Sequence, residues 1–150
     1  MMRRILLMGR RGCGKTSLIL RIHGEADSAK KTQAAVYHID FIDVPGEYLE
    51  VRSFYRALIM LSSEACGIAL LQAADDRQSL YPGGLARTFS KPVIGVVTKT
   101  DVAGADLKRA ESILREAGAR QVLYTSSVTD EGIDELKYCL NDLRNPGDGI

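Results

Sequence analysis

The sequence lacks several features that would each point to a function. Charge of one sign is missing: 20 Lys and Arg stand against 19 Asp and Glu, a formal net charge of +1. Nothing in that balance draws the chain to nucleic acid or to an anionic membrane. No apolar run approaches the roughly 18 residues of a membrane span. Met1-Met2-Arg3-Arg4 leads into only about five apolar residues before Gly9, too few for the apolar region of a secretory leader. Cysteine is scarce: Cys13, Cys66 and Cys139 lie far apart, with no CxxC pair, so a reduced, cytoplasmic chain is expected. His23 and His38 share no ligand spacing with a cysteine or with each other, which argues against a zinc cage. Tyr37, Tyr48 and Tyr55 form no regular stacking row, so nucleic acid is not an expected partner, and the charge balance and short apolar runs leave no membrane expected either.

What is present is an alternation of short apolar runs with helical patterns. Runs at 4–9, 37–44, 67–72, 92–98 and 121–126 read as strands, several continuously apolar, as in strands covered on both faces. Helices are expected from Lys15 to Gly24, from Glu47 to Leu61, from Asp106 (as N-cap) to Gly118, and from Gly132 to Asn145. In the second, Leu49, Phe54, Leu58 and Leu61 fall near one side. Segments 24–35 and 75–84 read as mobile loops, and 145–150 as a disordered tail. At 150 residues the chain reads as a single α/β domain, a mostly parallel sheet between two helix layers.

The first strand ends in Gly9-Arg10-Arg11-Gly12-Cys13-Gly14-Lys15-Thr16, which fits G-x-x-x-x-G-K-[ST]. Glycines let the backbone curl so that successive N–H groups converge on phosphate oxygens. The helix that follows offers its own N–H groups and its positive end to the same anion. Lys15 supplies an ammonium for the outer phosphates, and Thr16 a hydroxyl for Mg²⁺. The candidate phosphate set is Gly9, Gly12, Cys13, Gly14, Lys15, Thr16 and Ser17. Cys13 also allows a thiolate reading, because a helix start lowers a thiol pKa, against simple burial as a small residue.

Two further motifs follow in order. Asp43-Val44-Pro45-Gly46 closes a strand, where a carboxylate can hold Mg²⁺ and Gly46 can donate its N–H to a terminal phosphate; an ordinary turn reads the same way. Thr98-Lys99-Thr100-Asp101 closes a later strand. A carboxylate there can accept from the N1–H and 2-amino groups of guanine, both absent from adenine, while Lys99 lies along the base. The alternative is an ordinary N-capping Asp. Ser126 and Ser127 follow the last strand, where a backbone N–H can meet the guanine 6-oxo group.

This succession resembles the Ras-like small GTPases across about residues 3 to 144. More narrowly, "GCGKT", "KKTQA", "DVPGEYLE", "KPVIGVVTK" and "DEGIDEL" resemble the EutP/PduV family of ethanolamine and propanediol utilisation. The resemblance implies a P-loop NTPase fold of the Ras-like G-domain type. It also implies GTP or GDP with Mg²⁺, and a tie to bacterial microcompartment metabolism, with a shell or enzyme partner. Under it, Thr16, Asp43 and Thr32 become metal ligands, Thr32 only when a γ-phosphate is present. Lys15, Thr32 and Glu47 become the catalytic candidates.

The chain also departs from that pattern. Ten residues separate Thr32 from Asp43, too few for a full hairpin, so the second strand is expected to be trimmed and the sheet to have five or six strands. Glu47 follows D-x-x-G, where many small GTPases carry a glutamine that orients water. A carboxylate cannot donate that hydrogen bond, which predicts slow hydrolysis; equally, Glu47 suits the first turn of a helix. Arg11 in the loop reads as a solvated side chain or as a cationic finger in cis, and Arg52 with Arg56 as a solvated face or a partner contact. Three functions stay open: a guanine-nucleotide switch with slow hydrolysis, a phosphotransferase passing phosphate from ATP or GTP to a small carboxylate, and a nucleotide-binding scaffold docking on a microcompartment.

Overall fold

The computed structural model describes residues 3–24, 36–37 and 40–146. Its strands are β1 (Arg4–Gly9), β2 (Val36–Tyr37), β3 (Phe41–Pro45), β4 (Ala65–Ala73), β5 (Val93–Thr98) and β6 (Val122–Tyr124). The helices are α1 (Lys15–His23), α2 (Arg52–Ser63), α3 (Leu107–Glu116) and α4 (Ile133–Arg144), with 3₁₀ turns at Gly46–Glu50 and Leu85–Thr88. The sheet runs β2-β3-β1-β4-β5-β6. Every pairing is parallel except β2 with β3, which is antiparallel.

The continuously apolar strands are explained by two cores. In β1, Leu6 and Met8 face one side with Ile42, Val44, Ile68 and Leu70, beneath Leu58 of α2 and Leu114 of α3. Ile5 and Leu7 face the other with Ala69, Leu71, Ile94 and Val96, beneath Leu18 of α1 and Leu136 and Leu140 of α4. Alternation persists, but both faces are dry, so both need apolar residues. Strand order reverses at β1, whose C-terminal end therefore opens on a crevice, the usual ligand position in such sheets.

Among the described residues the second strand comprises Val36–Tyr37, short as expected. The apolar run 37–44 divides between this strand and β3. The helix expected from Glu47 is interrupted: Val51 is extended at φ −119°, ψ 114°, separating the 3₁₀ turn from α2. On α2, Leu58 is buried but Phe54 is 44% exposed and rests against Tyr48, ring centroids 4.9 Å apart. Asp106 caps α3 as read, its carboxylate accepting from Arg109 N–H at 3.1 Å. Gly24 closes α1 with left-handed backbone.

Segment 75–84 corrects the expectation of a mobile loop. Tyr81 is buried and its hydroxyl lies 3.0 Å from the Met8 carbonyl and 2.6 Å from that of Leu71. Gln72 Nε2 donates to the Asp76 and Gln78 carbonyls. Polar composition suggested solvent, yet the loop carries its own buried anchor. Asn145, where the expected tail starts, has its N–H donating to the Asn141 carbonyl at 2.9 Å. Residues 147–150 and 25–35, Thr32 among them, lie outside the described residues.

Candidate functional site

At the end of β1 the chain turns through residues 10–14 into α1. Gly14 is the N-cap residue, at φ 98° and ψ 18°, a left-handed conformation that any Cβ would strain. No side chain caps α1, and its first turn has no acid, unlike α4 with Asp134 and Glu135. Its first N–H groups and positive end are thus directed at the loop and compensated by no carboxylate of the helix itself. Lys15 is 5% exposed. Its Nζ donates to the Gly9 carbonyl at 2.9 Å and lies 3.9 Å from Asp43 Oδ1. Thr16 follows, half-buried, with Ser17 beside it.

Asp43 reaches this point because β3 runs parallel to β1 with Asp43 opposite Leu7. It is buried. Two residues past it, at Pro45, β3 ends opposite Gly9. Gly46 then packs so tightly that an added Cβ would stand 2.5 Å from Leu80 Cδ1 and 2.8 Å from the Gly9 carbonyl carbon. Only glycine fits there. Glu47, next in the chain, turns back onto the loop: both carboxylate oxygens lie 3.3 Å from the Arg11 N–H that donates to them. Arg10 is drawn the other way, its Nε 3.0 Å from Asp76 Oδ2.

The motif after β5 touches the same loop. Thr98 is buried and its hydroxyl donates to the Cys13 carbonyl at 2.6 Å. Lys99 has φ 59°, and its Nζ donates to the Gly12 carbonyl at 2.6 Å. A left-handed lysine costs on the order of 1 kcal/mol or more, a strain that surrounding contacts must hold. Asp101 is exposed, but Oδ1 accepts from Ser126 Oγ at 2.8 Å. Ser126 is fully buried, and its oxygen accepts from the N–H groups of Val128 and Thr129 at 3.2 and 3.1 Å. Those two donors leave the serine proton directed at Asp101. Thr100 N–H donates to Thr125 carbonyl at 3.2 Å, joining the two loops, with Ser127 half-buried alongside.

The structure thus brings together the loop at 9–16, Asp43, Gly46, Glu47, Thr98, Lys99, Asp101 and Ser126. Cys13 takes the burial reading, not the thiolate one. Burial pushes its thiol pKa up, and the opposing pull of the Lys15 charge and of a backbone hydrogen bond does not prevent it. Cys139 is buried and Cys66 half-buried; burial raises both thiols as well. Sequence reading missed Tyr81 and Gln72, which brace the floor of the site; the Leu80-Tyr81 pair ahead of Pro82-Gly83 was the available signal. Burial raises the Tyr81 phenol well above its usual value.

Chemically, the arrangement offers curled backbone donors, a buried ammonium, hard oxygen donors and, across the crevice, a carboxylate held in fixed orientation. Comparisons with known proteins agree with that layout. The family model described as ethanolamine utilisation - propanediol utilisation matches residues 2–142. The propanediol utilization protein PduV of Citrobacter freundii is 45% identical over 141 residues, spanning 93% of this chain and 94% of that protein. The probable acetate kinase EutP of Salmonella typhimurium is 36% identical over 126 residues, spanning 82% of this chain and 79% of that protein. Among solved structures, a point variant of Aquifex aeolicus Era, crystallised bound to GDP.AlF4-, superposes with a TM-score of 0.63 at 19% identity. That alignment covers 97% of this chain and 57% of the Era chain. The fold is therefore that of the Ras-like P-loop GTPases.

Proposed function

This chain belongs to the PduV-EutP family, and we propose that within it the chain binds a guanine nucleotide with Mg²⁺ and hydrolyses GTP slowly, as a switch in ethanolamine or propanediol microcompartment metabolism. The observation that carries this reading is the junction of two sites on one loop. Buried Lys15, beside Asp43, marks a polyanion end, and Lys99 and Thr98 tie the Asp101 carboxylate to the same backbone at Gly12 and Cys13.

In this reading Gly9, Gly12, Cys13, Gly14, Lys15, Thr16 and Ser17 surround the phosphates, with Gly46 at the outer one. Asp101 accepts from the guanine N1–H and 2-amino groups, Lys99 lies along the base, and Ser126 and Ser127 border its 6-oxo side. Adenine would leave the carboxylate unpaired, which discriminates strongly. Magnesium suits the donor set: a buried carboxylate and a hydroxyl are hard oxygen ligands, and this ion commonly takes few protein ligands beside substrate phosphate. Asp43 and Thr16 would hold it, joined by Thr32. When bound, it would neutralise charge on the phosphates. Glu47 cannot donate a hydrogen bond to an attacking water, and its carboxylate repels one made nucleophilic, so unassisted hydrolysis is slow.

A second reading has a specific support: a relative 36% identical is named a probable acetate kinase. Here the same loop passes phosphate to a small carboxylate. One experiment separates the two. Calorimetry with GDP, GTP and ATP in Mg²⁺ is followed by phosphate release with and without acetate or propionate. Guanine preference with slow, acceptor-independent release supports the switch. Acceptor-dependent acyl phosphate formation supports the kinase. Nucleotide binding with neither turnover leaves a docking scaffold, and no binding at all refutes both enzymes.

A further inference from the structure

Glu47 occupies a donor that the loop would otherwise offer to an anion. Its two carboxylate oxygens both lie 3.3 Å from the Arg11 amide nitrogen. The contact is at the outer end of the loop, away from the helix start at Lys15, and three features mark that end as the place of a terminal phosphate. Lys15 Nζ reaches back to the Gly9 carbonyl at 2.9 Å. Asp43 Oδ1 lies 3.9 Å from the same nitrogen. Gly46, one residue before Glu47, abuts Gly9 and Arg10 so closely that an added Cβ would lie 2.8 Å from one and 3.0 Å from the other. Two nearby cations are engaged elsewhere: Arg10 turns to Asp76, and Lys99 to Gly12.

We propose that Glu47 is a specificity-determining residue that selects nucleoside diphosphate over triphosphate, by holding the Arg11 N–H and placing a negative charge where the terminal phosphate must enter. The inference rests on the nucleotide reading above and deepens it. Two phosphates seated at the start of α1 leave the Glu47 contact intact. A third must displace the carboxylate from Arg11 or lie beside it, like charge against like charge. Displacement moves the turn Gly46–Glu50 and, through extended Val51, the start of α2. Arrival of the terminal phosphate is thereby linked to the element that follows it.

The test is calorimetry of the full chain with GDP and GTP in Mg²⁺, for the wild type, Glu47→Gln and Glu47→Ala. Both variants should bind GTP about tenfold tighter, the worth of a charged hydrogen bond and its repulsion, with GDP affinity moving less than about twofold. Equal gains for both nucleotides, or no gain for GTP, would overturn the proposal. A second readout needs no nucleotide: hydrogen exchange at the Arg11 amide should speed up in Glu47→Ala, and unchanged exchange refutes the contact. If the wild type binds neither nucleotide while the Arg11 amide behaves as expected, the nucleotide reading itself fails, and the selectivity proposal with it.

Discussion

The loop at 9–16 and the loop at 98–101 meet across one crevice but are built in opposite ways. The first is largely backbone: glycines, the start of α1, and one ammonium buried to 5% exposure. The second acts through side chains, with exposed Asp101 oriented by fully buried Ser126. Backbone donors recognise any polyanion of the right curvature, whatever it is attached to. A single oriented carboxylate recognises one pattern of donors and rejects others. Under the proposed reading the contrast separates grip from choice, and Lys99 and Thr98, which bond to the first loop, would couple them.

The contrast can be broken from either side. The largest effect should come from Lys15→Ala, which removes the buried cation and leaves Asp43 without a charge that now lies 3.9 Å away. Affinity for every nucleotide should fall by about 100-fold or more in calorimetry, with the GTP-to-ATP ratio unchanged. A changed ratio would show that grip and choice are not separate. Asp101→Asn should do the converse. Guanine affinity falls, adenine affinity holds, and the preference drops by at least about tenfold in competition binding. An unchanged preference would place base recognition elsewhere.

The smallest effect tests the floor beneath the first loop. Tyr81→Phe removes a hydroxyl lying 3.0 Å from Met8 carbonyl and 2.6 Å from Leu71 carbonyl. One buried O–H donor, shared between two carbonyls, is lost, so stability should fall by about 1–2 kcal/mol, read in a denaturant titration. Nucleotide affinity should weaken slightly and equally for guanine and adenine. A selective loss for one base would mean that the two loops share more than their two tethers.

Much of this was legible in the residues. The G-x-x-x-x-G-K-[ST] turn between strand and helix, the Asp106 cap and the apolar runs other than 37–44 appear in the structure much as they read, because each depends on neighbours in the chain. The short β2 agrees with the ten-residue spacing between Thr32 and Asp43 set against the hairpin that the Ras-like resemblance implies. What misread was segment 75–84, where a polar composition concealed an aromatic anchor whose partners, Met8 and Leu71, come from two other strands. Phe54 misread for a related reason. Phe54 and Leu58 lie four residues apart in α2, yet only Leu58 reaches the core; Phe54, in the first turn after extended Val51, rests on Tyr48 of the 3₁₀ turn instead.

Sequence by itself determined the alternating strands and helices, the glycine loop and the order of the motifs, since local conformation and spacing are properties of adjacent residues. Only tertiary structure decided that Ser126 aims Asp101, that Glu47 lies on Arg11, and that Cys13 stays a buried thiol despite its place before a helix. Those outcomes depend on which distant groups share a few ångströms of low-dielectric space, and chain connectivity alone does not say which they are.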